Sequence, residues 1–352
     1  MKKRDLQKSI PIIYINLIVK FNSNTTVYSF NLLRIFDSIE NFIFPIFIYE
    51  NELTYEKNLK LPFLNDSKVF IGHISHYMQK LVDLNITNIL IFGVPKRRNP
   101  MGTTSYLKNG VVQTSIRRIK ENFGNKINVI SDVCICQYNI SGHCGLFKRD
   151  IQNTYITGKK TGIEIDNDKT LKILGKIALS LSESGADFIA PSSMMDGQVT
   201  YLKKILEKNN FKKVKIMSYS SKHNSCLYSP FRSNNFFKSV YIDKSSYQNS
   251  YNNLHESIRE IMLDINEGAD WVMIKPSLWY MDIVQMVKRY IDKPLVVQNV
   301  SGEYALLKAM SKKKWFDEIE WITLSLLSIK RAGADKIISY FILKLLRKLL
   351  EL

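Results

Sequence analysis

The feature that most constrains this chain is a rhythm. Eight short runs rich in β-branched and aromatic residues alternate with longer amphipathic stretches. The runs are FIFPIFIY (42–49), NILIFGVP (88–95), INVISDVC (127–134), ADFIAPS (186–192), KVKIMSYS (213–220), DWVMIKPS (270–277), PLVVQNVS (294–301) and DKIISYF (335–341). They are apolar on both faces, as parallel strands covered by helices must be. The segments between them predict helices near 74–84, 109–123, 168–184, 196–208, 254–266, 280–291, 302–312 and 342–351. Residues 254–266 place Leu254, Ile258, Ile261, Met262 and Ile265 on one face. Asp196 is the expected N-cap of 196–208. Eight strand–helix units predict an α/β fold, a closed (β/α)8 TIM barrel rather than an open sheet.

Residues 1–38 show no clean period and read as an N-terminal arm or extension, which leaves 39–352 as the barrel. The segment 223–250 is polar, rich in Ser, Asn and Tyr, and long for a connection, so it reads as a lid over a site. The first residues, MKKRDLQKSIPIIYINLIV, put positive charge before an apolar stretch. The residues that follow, KFNSN, offer no small-residue cleavage site, so export is not expected. No apolar run reaches the roughly eighteen residues of a membrane helix.

The net charge of +18 admits nucleic acid, an acidic surface or small anionic substrates as partners. The aromatic residues sit inside strand and helix patterns and are not interleaved with a basic stripe, so nucleic acid is not the expected partner. The lysine-rich stretches KKKWF (312–316) and LLRKLLEL (345–352) read as solvated helix faces. Four cysteines are too few for a disulfide scaffold at 352 residues. Three of them lie close together, which points to metal chemistry in a reducing compartment.

A barrel of this kind carries its chemistry at the C-terminal ends of its strands. Those ends supply Asp132, Cys134 and Cys136 after the third run, Ser192 after the fourth and Lys222 after the fifth. Lys275 follows at the sixth, Ser301 at the seventh and Tyr340 at the eighth. Lys275 closes the apolar run WVMI. Burial disfavours its charged form, and a second cation nearby would lower its pKa further, toward that of a nucleophile. Lys222 can be that cation. Ser218, Ser220 and Lys222 alternate onto one side if the strand continues regularly. The bland alternative is that both lysines extend to water at the rim.

In SDVCICQYNISGHCG (131–145), Asp132, Cys134 and Cys136 are spaced by two and share a face of an extended segment, while Gly142 and Gly145 let the loop return Cys144. Three thiolates without an obvious fourth protein ligand suit an open, catalytic zinc site. His143 is the rival fourth ligand, expected to point away. Cys226 reads as an ordinary loop or core residue.

With these residues in place, the chain resembles the δ-aminolevulinic acid dehydratase family, the porphobilinogen synthases. The segments that carry the resemblance are FPIFIYEN, IFGVPK, NGVVQTSIRRIKE, SDVCICQYNISGHCG, GADFIAPSSMMDGQV, IMSYSSKHNSCLYSPFR, EGADWVMIKPSLWYMDIV, VSGEYALLKA and KRAGADKIISYF, in family order from about residue 41 to 341. The resemblance implies a lyase that condenses two molecules of 5-aminolevulinate into porphobilinogen with release of two waters, in the cytoplasm, without a nucleic-acid or membrane partner.

It further implies that Lys275 forms the Schiff base with the first substrate and Lys222 holds the second, with Asp132 orienting Lys222 or relaying protons. Cys134, Cys136 and Cys144 become the ligands of the catalytic zinc. Ser301 and Tyr340 would hold the first carboxylate. Arg232 and Gln248 would clamp the second, with Lys244 standing where the family has a second lid arginine. Glu260 resembles the acidic residue of a regulatory magnesium site, and the assembly would be a homo-octamer. The chain departs from the family pattern at Ser193 and Gln198, at Gln298 where a tyrosine is usual, and in an arm motif that is not recognisable in 1–38. A Schiff-base aldolase would need one lysine and no thiolate site. A zinc-stabilised nucleic-acid binder would need a fourth ligand. A decayed enzyme kept for interaction would show no turnover.

Overall fold

The structure, a computed structural model, describes residues 39–59, 64–148, 164–228 and 243–350. The expected arm at 1–38 and Arg232 lie outside these residues, as does the middle of the expected lid.

Eight strands form the wall: β1 (Phe42–Tyr49), β3 (Asn88–Val94), β4 (Asn128–Val133), β7 (Phe188–Pro191), β8 (Lys215–Lys222), β9 (Trp271–Lys275), β10 (Leu295–Gln298) and β11 (Lys336–Ile338). They pair in parallel in that order. The pairing of Phe42 and Ile43 with Ile337 and Ile338 closes the circle. The chain is therefore the expected (β/α)8 barrel. β2 (Lys68–Phe70) extends the other end of the same edge of β1. A short antiparallel pair, β5 (Leu146–Phe147) and β6 (Ile165–Asp166), stands apart.

The helices α1 (Glu52–Leu59), α2 (Ile74–Asp83), α3 (Val111–Phe123), α4 (Asn167–Glu183), α5 (Gln198–Lys208), α6 (Leu254–Asn266), α7 (Met281–Lys288), α8 (Ser301–Lys312), α9 (Glu318–Ala332) and α10 (Ile342–Leu350) surround it. None among the described residues is long and apolar enough to cross a membrane.

The doubly apolar strands resolve into two cores. One face of each strand packs outward on the helices, as Ile89, Ile91, Val272, Ile274 and Val297 do. The other face fills the barrel with Ile43, Leu90, Ile130, Met217, Tyr219, Met273, Val296 and Ile338. The period-2 alternation of strands thus decides which strand-end residues reach the interior.

Three local readings change. Helix α5 begins at Gln198, with Gly197 at φ 68° in the N-cap position, rather than at Asp196. Glycine takes that left-handed conformation without the steric cost a side chain brings. Residues 313–316 are an exposed turn after α8, not a helix face. The C-terminal helix is docked: Leu345 and Leu346 are buried, while Lys344 pairs with Glu318 and Arg347 with Asp66.

Candidate active site

Asp132, Ser192, Lys222, Lys275, Ser301 and Tyr340 converge on one cavity at the C-terminal mouth, joined by Cys136, Gln298, Lys244 and Gln248. Each of the six expected strand ends contributes.

Lys275 arrives by regular alternation from Trp271 and Met273. Lys222 does not. Along β8, Met217 and Tyr219 point inward. Ser218 points outward, its hydroxyl donating to Asp264 on α6 at 2.7 Å. Continued alternation would send Lys222 outward with Ser218 and Ser220. Instead a β-bulge intervenes: Ser218 pairs with Val272, Ser221 with Ile274, and Lys222 with Lys275. Three steps on β8 match two on β9, so one extra residue reverses the parity. The expectation that Ser218, Ser220 and Lys222 share a face is corrected; the serines face α6 and the lysine faces the cavity.

The two amines lie 5.6 Å (Lys222) and 5.2 Å (Lys275) from the centre of the Tyr219 ring. Lys222 Nζ also donates to the Ser192 carbonyl at 2.5 Å. Burial lowers the Lys275 amine to about 7, and the positive charge of Lys222 adds to the fall. Asp132 rises to about 6 through burial, against the pull of Ser192, Lys222 and Lys275. The site therefore holds an amine and an acid that both exchange protons near neutrality.

The ladder between the two lysine strands continues as loop contacts. His223 N–H donates to the Lys275 carbonyl at 2.9 Å, and Asn249 N–H to the Lys222 carbonyl at 3.1 Å. His223 itself is buried, its pKa lowered by burial to about 4, and its ring stacks on Tyr280 at 4.2 Å. Residues from both ends of the 223–250 segment thus brace the lysine backbone.

Beside the amines, the sulfur atoms of Cys134, Cys136 and Cys144 all lie within 4.8 Å of one another. Strand β4 ends at Val133, and Cys136 sits in a turn whose N–H donates to Cys134 Sγ at 3.4 Å. The trio is gathered by that turn, not by an extended segment. Burial pushes the Cys134 thiol up. At Cys136 the bond with Cys134 pulls down, while the bond with Cys144 and burial raise the thiol to about 11. Hydrogen bonds from Cys134 and Cys136 hold Cys144 well below its ordinary value. Three soft donors in a buried turn, one already favoured as thiolate, form a donor set that fits a metal ion. His143 stands outside this group; its Nδ1 lies 3.1 Å from the Tyr247 hydroxyl, which also accepts from Cys144 N–H. Cys226 is exposed on the turn 226–228.

Lys244 lines the cavity but donates to Cys144 Sγ at 3.2 Å, so it serves the sulfur site as placed. Gln298 occupies the cavity wall with its Oε1 unpartnered among the described residues. Gln198 is absorbed locally, bonding Met195 N and the Pro191 carbonyl. Ser193 is buried just behind Ser192. Glu260 lies elsewhere, 3.4 Å from Arg259, in a polar cleft that Glu164, Asp196, Glu256 and Asp264 also line. Among the described residues the cysteine trio is the group compact enough to hold an ion, so Glu260 is not part of a preformed ligand cage.

Sequence reasoning missed Tyr219 and Tyr228. Tyr228 donates to the Lys275 carbonyl at 3.3 Å and sets its ring 5.6 Å from the same amine. The only signal for Tyr219 was its inward position between Met217 and the bulge.

Two amines and a sulfur trio at the mouth of a closed barrel form a site equipped for carbonyl chemistry. A profile of the family described as "Delta-aminolevulinic acid dehydratase" matches residues 34–348. Relatives carrying that name include one from Methanothermus sociabilis, 42% identical over 304 residues that span 86% of this chain and 89% of the relative. Another, from Bacillus subtilis (strain 168), is 40% identical over 301 residues, 85% of this chain and 88% of the relative. The crystal structure of the Toxoplasma gondii ME49 protein, porphobilinogen synthase in complex with its reaction product porphobilinogen, superposes with a TM-score of 0.78 at 28% identity. The match covers 89% of this chain and 86% of that one. The chain belongs to the delta-aminolevulinic acid dehydratase family.

Proposed function

We propose that this chain condenses two molecules of 5-aminolevulinate into porphobilinogen with loss of two waters, through Schiff bases on Lys275 and Lys222. The observation that carries the reading is the facing pair of amines beside a sulfur trio. A neutral Lys275 amine attacks the ketone carbon of the first substrate. Collapse of the addition product releases one water as the imine forms. Lys222 holds the second ketone in the same way.

Asp132, poised between protonation states and close to both amines, takes or returns the proton that each addition and dehydration moves. Ser301 and Tyr340 receive the first carboxylate. Gln248, Lys244 and Arg232 receive the second. Lysine there binds as a point charge, without the fork of an arginine. Ser192 fixes Lys222 through its carbonyl. Cys134, Cys136 and Cys144 would hold zinc, which supplies Lewis acidity next to the second substrate. The resemblance extends the reading to a cytoplasmic homo-octamer with magnesium near Glu260.

An aldolase needs one lysine and leaves the trio without a task. The test is direct: incubate folded, zinc-loaded protein with 5-aminolevulinate and assay for the pyrrole. Pyrrole formation is expected; its absence overturns the reading.

A further inference from the structure

Glu303 is fully buried near the start of α8 and has no part in the chemistry above. Its carboxylate accepts the Val300 N–H at 2.6 Å. That bond is the carboxylate half of a helix-capping box and needs no further explanation. The others do. Ser277 N–H and Leu278 N–H donate to Oε1 at 3.0 and 2.5 Å. The Ser277 hydroxyl lies 3.0 Å from both oxygens, and Asn299 Nδ2 donates at 3.2 Å. Ser277 and Leu278 belong to the exit of β9, two and three residues beyond Lys275. Asn299 and Val300 belong to the exit of β10, just before Ser301.

The regular ladder between these strands stops at Ile274 and Val297. From that point upward Glu303 ties the two exits together, beside a long 3.5 Å contact from Asn299 Nδ2 to the Ser277 hydroxyl. A buried carboxyl group that receives several N–H donors from two loops is a stiff joint, because leaving any of those buried donors unpaired is costly; burial raises its pKa to about 7 against the pull of the donors.

We propose that Glu303 determines the chain length of keto acid that the first site accepts. It fixes the span between the Lys275 amine, which captures the ketone, and the Ser301 hydroxyl, which receives the carboxylate. This rests on the roles given to Lys275 and Ser301 above. Glu303 is a positioning residue; it touches the loops and not the substrate.

The probes are three ketones trapped on the protein by borohydride: 4-oxopentanoate, 5-oxohexanoate with one more methylene, and 2-pentanone without a carboxylate. Wild-type protein is expected to trap 4-oxopentanoate at Lys275 roughly tenfold faster than 5-oxohexanoate, the usual worth of a methylene in a fitted site. Glu303→Gln sets an amide N–H₂ against one group of donors and loosens the joint. In it the preference should narrow to about twofold or less, by loss of rate on 4-oxopentanoate, while trapping of 2-pentanone is unchanged. Glu303→Asp keeps the carboxyl group with a shorter reach and should show the same narrowing to a smaller degree; it serves if the glutamine variant does not fold. Equal loss on all three ketones, or an unchanged preference in the folded variants, overturns the proposal. No trapping at Lys275 in wild-type protein overturns the function reading itself, and this inference with it.

Discussion

Lys222 and Lys275 are register partners across β8 and β9, with both amines set over the ring of Tyr219. Their closeness couples their charges. Lys275 must lose its proton to attack, and burial together with Lys222 lowers it to about 7. Borohydride trapping of 4-oxopentanoate at Lys275 should therefore rise with pH through about 7. Lys222→Met removes the repelling charge, so the rise should move to higher pH. A rise that stays in place in that variant would show that the amines do not sense each other.

The same shift predicts a stability signature. The folded value of Lys275 lies below the value of about 10.4 for an unfolded lysine. Between pH 7 and pH 10 the unfolded chain binds the extra proton, so stability rises with pH across that window. Lys275→Met removes this contribution. Its melting temperature should exceed that of the wild type most at pH 7 and below, and the gap should shrink toward pH 10. Catalysis should fall on the order of a thousandfold or more, as when a covalent nucleophile is deleted. Thermal melts at the two pH values check the first outcome, and the pyrrole assay the second.

The sulfur trio makes a separable prediction. Cys134→Ser, Cys136→Ser and Cys144→Ser should each reduce bound zinc, measured by elemental analysis after dialysis. Turnover should fall with the metal, yet 4-oxopentanoate should still be trapped at Lys275, since that amine arrives by the regular alternation of β9. Loss of trapping together with zinc would mean that the metal holds the lysine site in shape.

Gly302 tests the contact between α8 and the 226–228 turn. A Cβ added there would lie 2.4 Å from the Leu227 carbonyl oxygen and 2.6 Å from its Cα, both backbone. Gly302→Ala must push the 226–228 turn away and disturb Ser301, whose hydroxyl reaches the same carbonyl. We expect a loss of about 1–3 kcal/mol in stability, the usual cost of overpacking. The KM for 5-aminolevulinate should rise more than kcat falls. Wild-type kinetics in this variant would show that the turn moves freely.

The barrel was legible because its signal is redundant: eight doubly apolar runs, each with a helix behind it. Helix α9 was not foreseen. Its buried face includes Thr323, Ser325 and Ser328 beside Ile319, Ile322, Leu326 and Ile329, which dilutes the apolar period. Site residues that end regular strands, such as Lys275 and Tyr340, followed from position alone. The roles of Lys244 and Glu303 depend on which loops meet in space, and spacing in the sequence carries no trace of that. The parity of Lys222 failed for a related reason, since a bulge has no residue signature in MSYSSK.

That bulge gives the chain an unusual dependence. The second amine owes its presence in the cavity to a miscount of one residue between Ser218 and Ser221, not to any side chain around it. Pairing this stretch regularly at unchanged length would keep every chemically active group in the sequence and still rotate Lys222 toward α6, where Asp264 lies, whereas deleting one residue would remove the bulge and leave the lysine opposite Lys275. Surveys or redesigns that score such barrels by the identity of their lysines would pass a protein with only one of the two amines in its cavity.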